Sequence, residues 1–109
     1  GADPAAGGRV SRALNMLGLC ARAGRLVSGE KACVQAIRSG GAYAVVLDAA
    51  AAKNAVKSIT DACRSHSVPL VVAPALSLGD AIGKPGRMAV GITDAGFAEQ
   101  ILKGDFTPG

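Results

Sequence analysis

Between Arg9 and Ala23, the apolar residues Val10, Ala13, Leu14, Leu17 and Ala21 recur at intervals of three and four, which places them on one face of a helix. Gly24 ends the pattern, as glycine does where a helix turns into the left-handed region. The run Arg25, Leu26, Val27, Ser28 predicts extended backbone. Ser28 or Gly29 can then cap a second helix reaching about Ser39, with Glu30 in its first turn, where the helix dipole favours an anion. Cys33, Ala36 and Ile37 form the apolar side of that helix. Lys31, Gln35 and Arg38, at i, i+4 and i+7, share another face.

Tyr43, Ala44, Val45, Val46 and Leu47 make an apolar run too short for a helix, which predicts a strand covered on both faces. A third helix is expected from the alanine run at 49–52 onward, with Ala52, Val56, Ile59 and Cys63 as its stripe. Pro69 precedes a second buried strand, Leu70, Val71, Val72, Ala73. Ser77 is expected to cap a short helix through Ala81, residues 87–92 to form another strand, and Thr93 or Asp94 to cap a last helix containing Phe97, Ile101 and Leu102. This alternation predicts an α/β fold: a three-layer α/β/α sandwich around a small, about four-stranded, mixed sheet.

The chain has 109 residues, enough for one domain. That domain is expected at residues 9–109, with residues 1–8 a linker or a tag remnant. Alanine supplies 22 residues against 24 valines, leucines and isoleucines together, so the core must be closely approached small-residue packing. No apolar stretch is long enough for a membrane span, and the first residues lack the basic start and apolar run of a signal peptide. Cys20, Cys33 and Cys63 are an odd number without Cys-x-x-Cys spacing, and each falls in an apolar stripe. That usage predicts buried free thiols in a reducing cytoplasm.

The net charge of +4 is unevenly placed. Residues 9–38 carry Arg9, Arg12, Arg22, Arg25, Lys31 and Arg38 against Glu30 alone, whereas residues 39–109 hold six basic and six acidic side chains. A basic first third suits a polyanion partner, because cations that neutralise phosphates release condensed counterions. Surface solubility is the other use of such charge.

Catalytic chemistry finds little support. His66 is the single histidine and lies near the end of the third helix, where a cation complements the dipole; no activated-nucleophile or zinc pattern is present. Neither cofactor nor metal is expected. The glycine-rich stretch 79–86 ends a helix and leads into a strand, the reverse of the dinucleotide-binding order. Its loop, Gly83, Lys84, Pro85, Gly86 and Arg87, offers backbone N–H groups and two cations that could hold a phosphate or an extruded base, and the same composition also describes an ordinary turn. Tyr43, Phe97 and Phe106 are scattered, so no sheet carries an aromatic platform for single-stranded nucleic acid. An RNA ligand would be held through shape, backbone and helix-terminal contacts. The tip of the second helix supplies such a surface: N–H groups near Gly29, Glu30, Lys31 and Ala32, no side chain at Gly29, and Lys31, Gln35 and Arg38 alongside. A solvated polar helix face is the alternative.

The segments from Leu17 to Gly24, from Val27 to Gly40, from Leu78 to Gly83 and from Ile92 to Ala98, taken in order, resemble the bacterial YlxQ-like branch of the ribosomal protein L7Ae family of kink-turn RNA binders. The resemblance spans about Arg9 to Lys103. It implies a three-layer α/β/α fold, no catalysis, and RNA contacts from Gly29, Lys31, Ala32 and Gln35 and from the loop at 83–87. Kink-turn binders of this family present Asn, Glu and Lys to the sheared G·A pairs, where this chain has Lys31, Ala32 and Gln35. Without a carboxylate at Ala32, an acceptor for guanine edges is missing, which implies less stringent kink-turn selectivity or another structured RNA.

The expectation is a cytoplasmic, monomeric, non-enzymatic protein whose partner is structured RNA, ribosomal in origin, either fused to or acting with another RNA-associated domain. A protein-interaction or regulatory module on the same scaffold is the alternative. An enzyme ranks below both.

Overall fold

A computed structural model describes the backbone of residues 4–109 and the side chains of residues 10–109. The elements run α1 (Pro4–Arg22), β1 (Leu26–Ser28), α2 (Glu30–Arg38), β2 (Ala44–Asp48), α3 (Lys53–His66), β3 (Leu70–Ala73), α4 (Ser77–Ile82), β4 (Ala89–Ile92), α5 (Ala95–Leu102) and β5 (Thr107–Pro108). The strands form one mixed sheet in the order β1-β4-β2-β3-β5. Only β2 and β3 are parallel; the other pairs are antiparallel. The architecture is therefore the expected α/β/α sandwich with five strands in place of four.

Alternation along β2 divides the core. Ala44 and Val46 face α1, α4 and α5 together with Leu17, Leu78, Ile92 and Ile101; Val45 and Leu47 face α2 and α3 with Cys33, Ile37, Ile59 and Cys63. Burying each of the larger aliphatic side chains contributes about 1.5 to 3 kcal/mol. Small residues set the spacing between layers. A Cβ on Gly91 would lie 3.2 Å from Val27 Cγ2 and 3.7 Å from Cys33 Sγ, and one on Gly18 would lie 3.0 Å from the Ala81 carbonyl oxygen. Glycine thus lets α2 lie close to the sheet and α1 close to α4.

Several boundaries depart from the periodicity. Helix α1 begins at Pro4, so the part of the expected linker from residue 4 onward is helical, while residues 1–3 lie outside the described residues. The alanine run at 49–52 precedes α3 without belonging to it, and Val56 is 37 % exposed, leaving Ile59, Ala62 and Cys63 as the buried stripe. Ser77 does not cap α4: Leu76 occupies the cap position, and the Ser77 hydroxyl donates to the Pro74 carbonyl instead. Asp94 does cap α5, accepting from the Phe97 N–H at 2.9 Å. The unexpected β5 is two residues long and pairs with β3 beside the buried ring of Phe106.

Candidate nucleic-acid interface

Strands β1 and β4 pair with Ser28 opposite Val90, which brings the residues after β1 and before β4 to one end of the sheet. Gly29 is the joint there. Its N–H donates to the Ala89 carbonyl at 2.9 Å, while its own carbonyl accepts from the Cys33 N–H at 3.0 Å and so opens α2. At φ 98 and ψ 154, Gly29 adopts backbone angles that a Cβ disfavours. A Cβ at this position would also stand 2.9 Å from Nη1 of Arg87. The guanidinium of Arg87 therefore lies against bare backbone at the helix tip. No side chain caps α2, and the N–H groups of Glu30, Lys31 and Ala32 lack intrahelical partners in its first turn.

The loop that carries Arg87 is folded onto α4. Gly83, at φ 72, ends that helix; the Lys84 N–H donates to the Gly79 carbonyl at 2.9 Å and the Arg87 N–H to the Lys84 carbonyl at 3.2 Å. A Cβ on Gly79 would come within 2.8 Å of the Lys84 carbonyl oxygen and 3.0 Å of the Gly86 nitrogen, so only glycine admits the loop. Lys84, Pro85, Gly86 and Arg87 are consequently exposed on a defined frame. Among the described residues, no carboxylate pairs with either cation; the ion pairs there are Lys57 with Asp61 and Lys103 with Glu99.

Asp48, at the end of β2, fastens this edge from below. Its N–H donates to the Met88 carbonyl at 2.8 Å. Its carboxylate accepts from the N–H groups of Ala50 at 2.8 Å, Leu76 at 2.8 Å and Leu78 at 3.1 Å, supplying the cap that α4 otherwise lacks. Burial pushes the Asp48 carboxyl up, but the N–H donors of Ala50, Leu76, Leu78 and Ser77 outweigh it and hold the group below its ordinary value. Leu76, whose N–H Asp48 holds, takes left-handed backbone at φ 63 and is 65 % exposed. The sequence reading assigned Asp48 no role and did not single out Leu76. A lone acid closing an apolar strand run is the available signal for the first; nothing local announces the second.

Of the residues expected at the site, the structure gathers Gly29, Glu30, Lys31 and Ala32 with Arg87 and its loop. Glu30, Lys31 and Gln35 are exposed, and Gly29 and Ala32 half-buried. Arg38 lies apart. It ends α2, about 10 Å along the helix axis from Lys31, and lines a hollow with Ser58, Asp61, Ser65 and His66 of α3.

Burial, largest of the causes, pushes the thiols of Cys20, Cys33 and Cys63 up to about 11, 12 and 11, so none is an available thiolate at neutral pH. Among the described residues, no group of three or more His, Cys, Asp or Glu could hold a metal, and no helix is long and apolar enough to cross a membrane.

Residues 12–102 match the model of the ribosomal protein L7Ae/L30e/S12e/Gadd45 family. The chain belongs to that family. It is 40% identical over 88 residues to the RNA-binding protein YlxQ of Bacillus subtilis (strain 168), covering 80% of this chain and 88% of that protein. It is 34% identical over 94 residues to the RNA-binding protein YlxQ of Enterococcus faecium, covering 85% and 90% respectively. A solved structure of a protein with unknown function from Bacillus halodurans C superposes with a TM-score of 0.80 at 37% identity, covering 84% of this chain and 93% of that one. The Giardia lamblia 15.5kD RNA binding protein superposes with a TM-score of 0.71 at 21% identity, over 95% and 91%, and shares the fold. The chain is thus a YlxQ-like member of the L7Ae family, as its motifs implied.

Proposed function

We propose that this chain is a cytoplasmic RNA-binding protein without catalytic activity, which docks a kink-turn-like or internally looped RNA of ribosomal origin. The RNA meets Gly29, Glu30, Lys31, Ala32 and Gln35 on one side and Gly83, Lys84, Pro85, Gly86 and Arg87 on the other. The observation that carries this reading is the approach of Arg87 to the bare backbone at Gly29, which turns two distant segments into one cationic, side-chain-poor patch. Open N–H groups at a helix N-terminus suit phosphate oxygens, and a guanidinium suits either a phosphate or a guanine edge. The names of the two YlxQ relatives support the same ligand class. Arg38 serves only an RNA long enough to follow α2 to its far end.

Titrating labelled kink-turn RNA, plain duplex and single strand at several salt concentrations tests the reading. The protein is expected to prefer the kinked RNA over the duplex and to weaken as salt rises. Equal affinity for all three would refute recognition of folded RNA. Ala32→Glu restores the missing carboxylate in the first turn of α2, where the dipole favours it. It is expected to sharpen kink-turn over duplex binding by about 1 to 3 kcal/mol.

A further inference from the structure

The described cations around the interface do not stop at the loop of residues 83–87. Helix α1 ends in a locked turn: the Arg25 N–H donates to the Cys20 carbonyl at 3.0 Å, the Gly24 N–H to the Ala21 carbonyl at 3.0 Å, and Gly24 takes φ 69. This is the double hydrogen bond of a glycine-terminated helix. The buried Cys20 thiol adds a third tie, donating to the Arg25 carbonyl at 3.2 Å. Because thiol, glycine and helix end hold the turn together, the exposed Arg22 and Arg25 project from rigid backbone on either side of Gly24.

That turn borders the loop of the proposed interface. Ala21, Arg22, Gly24, Leu26, Ile82 and Lys84 line a hollow of about 300 Å³. Ala21, Leu26 and Ile82 give it an apolar floor, and Arg22 and Lys84 carry its charge. No acidic residue lines it. Lys84 belongs at once to this hollow and to the loop whose Arg87 covers Gly29, so the two surfaces are continuous.

We propose that the hollow is a third RNA contact, which takes one nucleotide of the strand leaving the interface. Its ribose and base lie on the apolar floor, and its phosphates lie between Arg22 and Lys84, with Arg25 reaching the next phosphate. This rests on the RNA-binding reading and extends it to α1, outside both segments that the sequence singled out. An apolar floor with two cations and no acid in its lining suits a nucleotide, whose base and sugar can lie on the floor and whose phosphates can meet the charges.

The test uses the full chain with a labelled kink-turn RNA and a labelled internal-loop RNA, each carrying helical stems on both sides. Arg22→Ala and Arg25→Ala are each expected to weaken binding about three- to tenfold and to lower the salt slope by roughly 0.7 to 0.9. Arg64→Ala, on α3, is the comparison variant and should leave both unchanged. Arg22→Cys labelled with a photocrosslinker should capture a stem-flanking nucleotide, and the buried native thiols keep the label at that position. If Arg87→Ala weakens binding while Arg22→Ala and Arg25→Ala match Arg64→Ala, the hollow is not a contact and the RNA reading stands. If the wild type binds neither RNA, both fall.

Discussion

Two helices begin at the same end of the sheet and complete their first turns in opposite ways. At α4, the carboxylate of Asp48 reaches from β2 to the N–H groups of Leu76 and Leu78, so a ligand has little left to bond. At α2, Gly29 brings no side chain, and Arg87 adds positive charge beside the open N–H groups of the first turn. The first arrangement stabilises the fold. The second keeps donors, the positive end of the dipole and a guanidinium facing outward, which is the chemistry of anion binding. The contrast shows that a helix tip is informative only after the chain's own acceptors have been counted against it.

The largest test of that contrast falls on the closed tip. Asp48→Ala would strand buried N–H groups and is expected to cost about 3 kcal/mol or more. For a domain of this size that lowers the thermal midpoint by roughly 10 to 20 °C, whereas RNA affinity measured well below the midpoint should change little. The sign with pH follows from the depressed carboxyl. Its stabilisation is complete above the ordinary value of 3.8 and is lost as pH falls through the lower folded value. Urea midpoints should therefore drop in strong acid for the wild type and far less for Asp48→Asn.

At the open tip, Gly29→Ala forces a Cβ into backbone angles it disfavours and crowds Arg87, whose flexible end can move aside. A loss of about 1 to 3 kcal/mol of stability is expected from the backbone, accompanied by weaker RNA binding. Equal stability of variant and wild type in chemical denaturation would contradict the strained joint. Arg87→Ala should separate the two properties in the other direction. It is expected to weaken RNA about tenfold and lower the salt slope by roughly 0.7 to 0.9, with stability unchanged within about 0.5 kcal/mol.

Much of the fold was legible because the core is periodic: Leu17, Ile37, Val45 and Ile59 all fall on runs whose spacing matches their elements. Strand β5 was not, since two residues that include a proline carry no alternation and are held by pairing with β3. The cap of α4 was hidden for a related reason. Ser77 had the local chemistry of a cap, and an acid 28 residues before Leu76 had the geometry. At the site, Gly29 and the loop around Arg87 could each be read locally, as a helix tip and a glycine-rich turn. Their contact is a product of β1 pairing with β4. The same spacing that placed Arg38 on the face of Lys31 and Gln35 could not show that α2 carries it away from the loop, and Arg22 joins the picture only through the packing of α1 beside Ile82 and Lys84.

The central claim is that the open tip of α2 and the loop of Arg87 receive RNA together. It is tested most directly by following backbone amide signals of the isotope-labelled chain by nuclear magnetic resonance as kink-turn RNA is added. The account predicts that the amides of Gly29, Glu30, Lys31 and Ala32 and those of Lys84, Gly86 and Arg87 shift in concert at one binding constant, while those of Leu78 and of α3 stay in place. Shifts confined to α3, or a response of the helix tip without the loop, would contradict it.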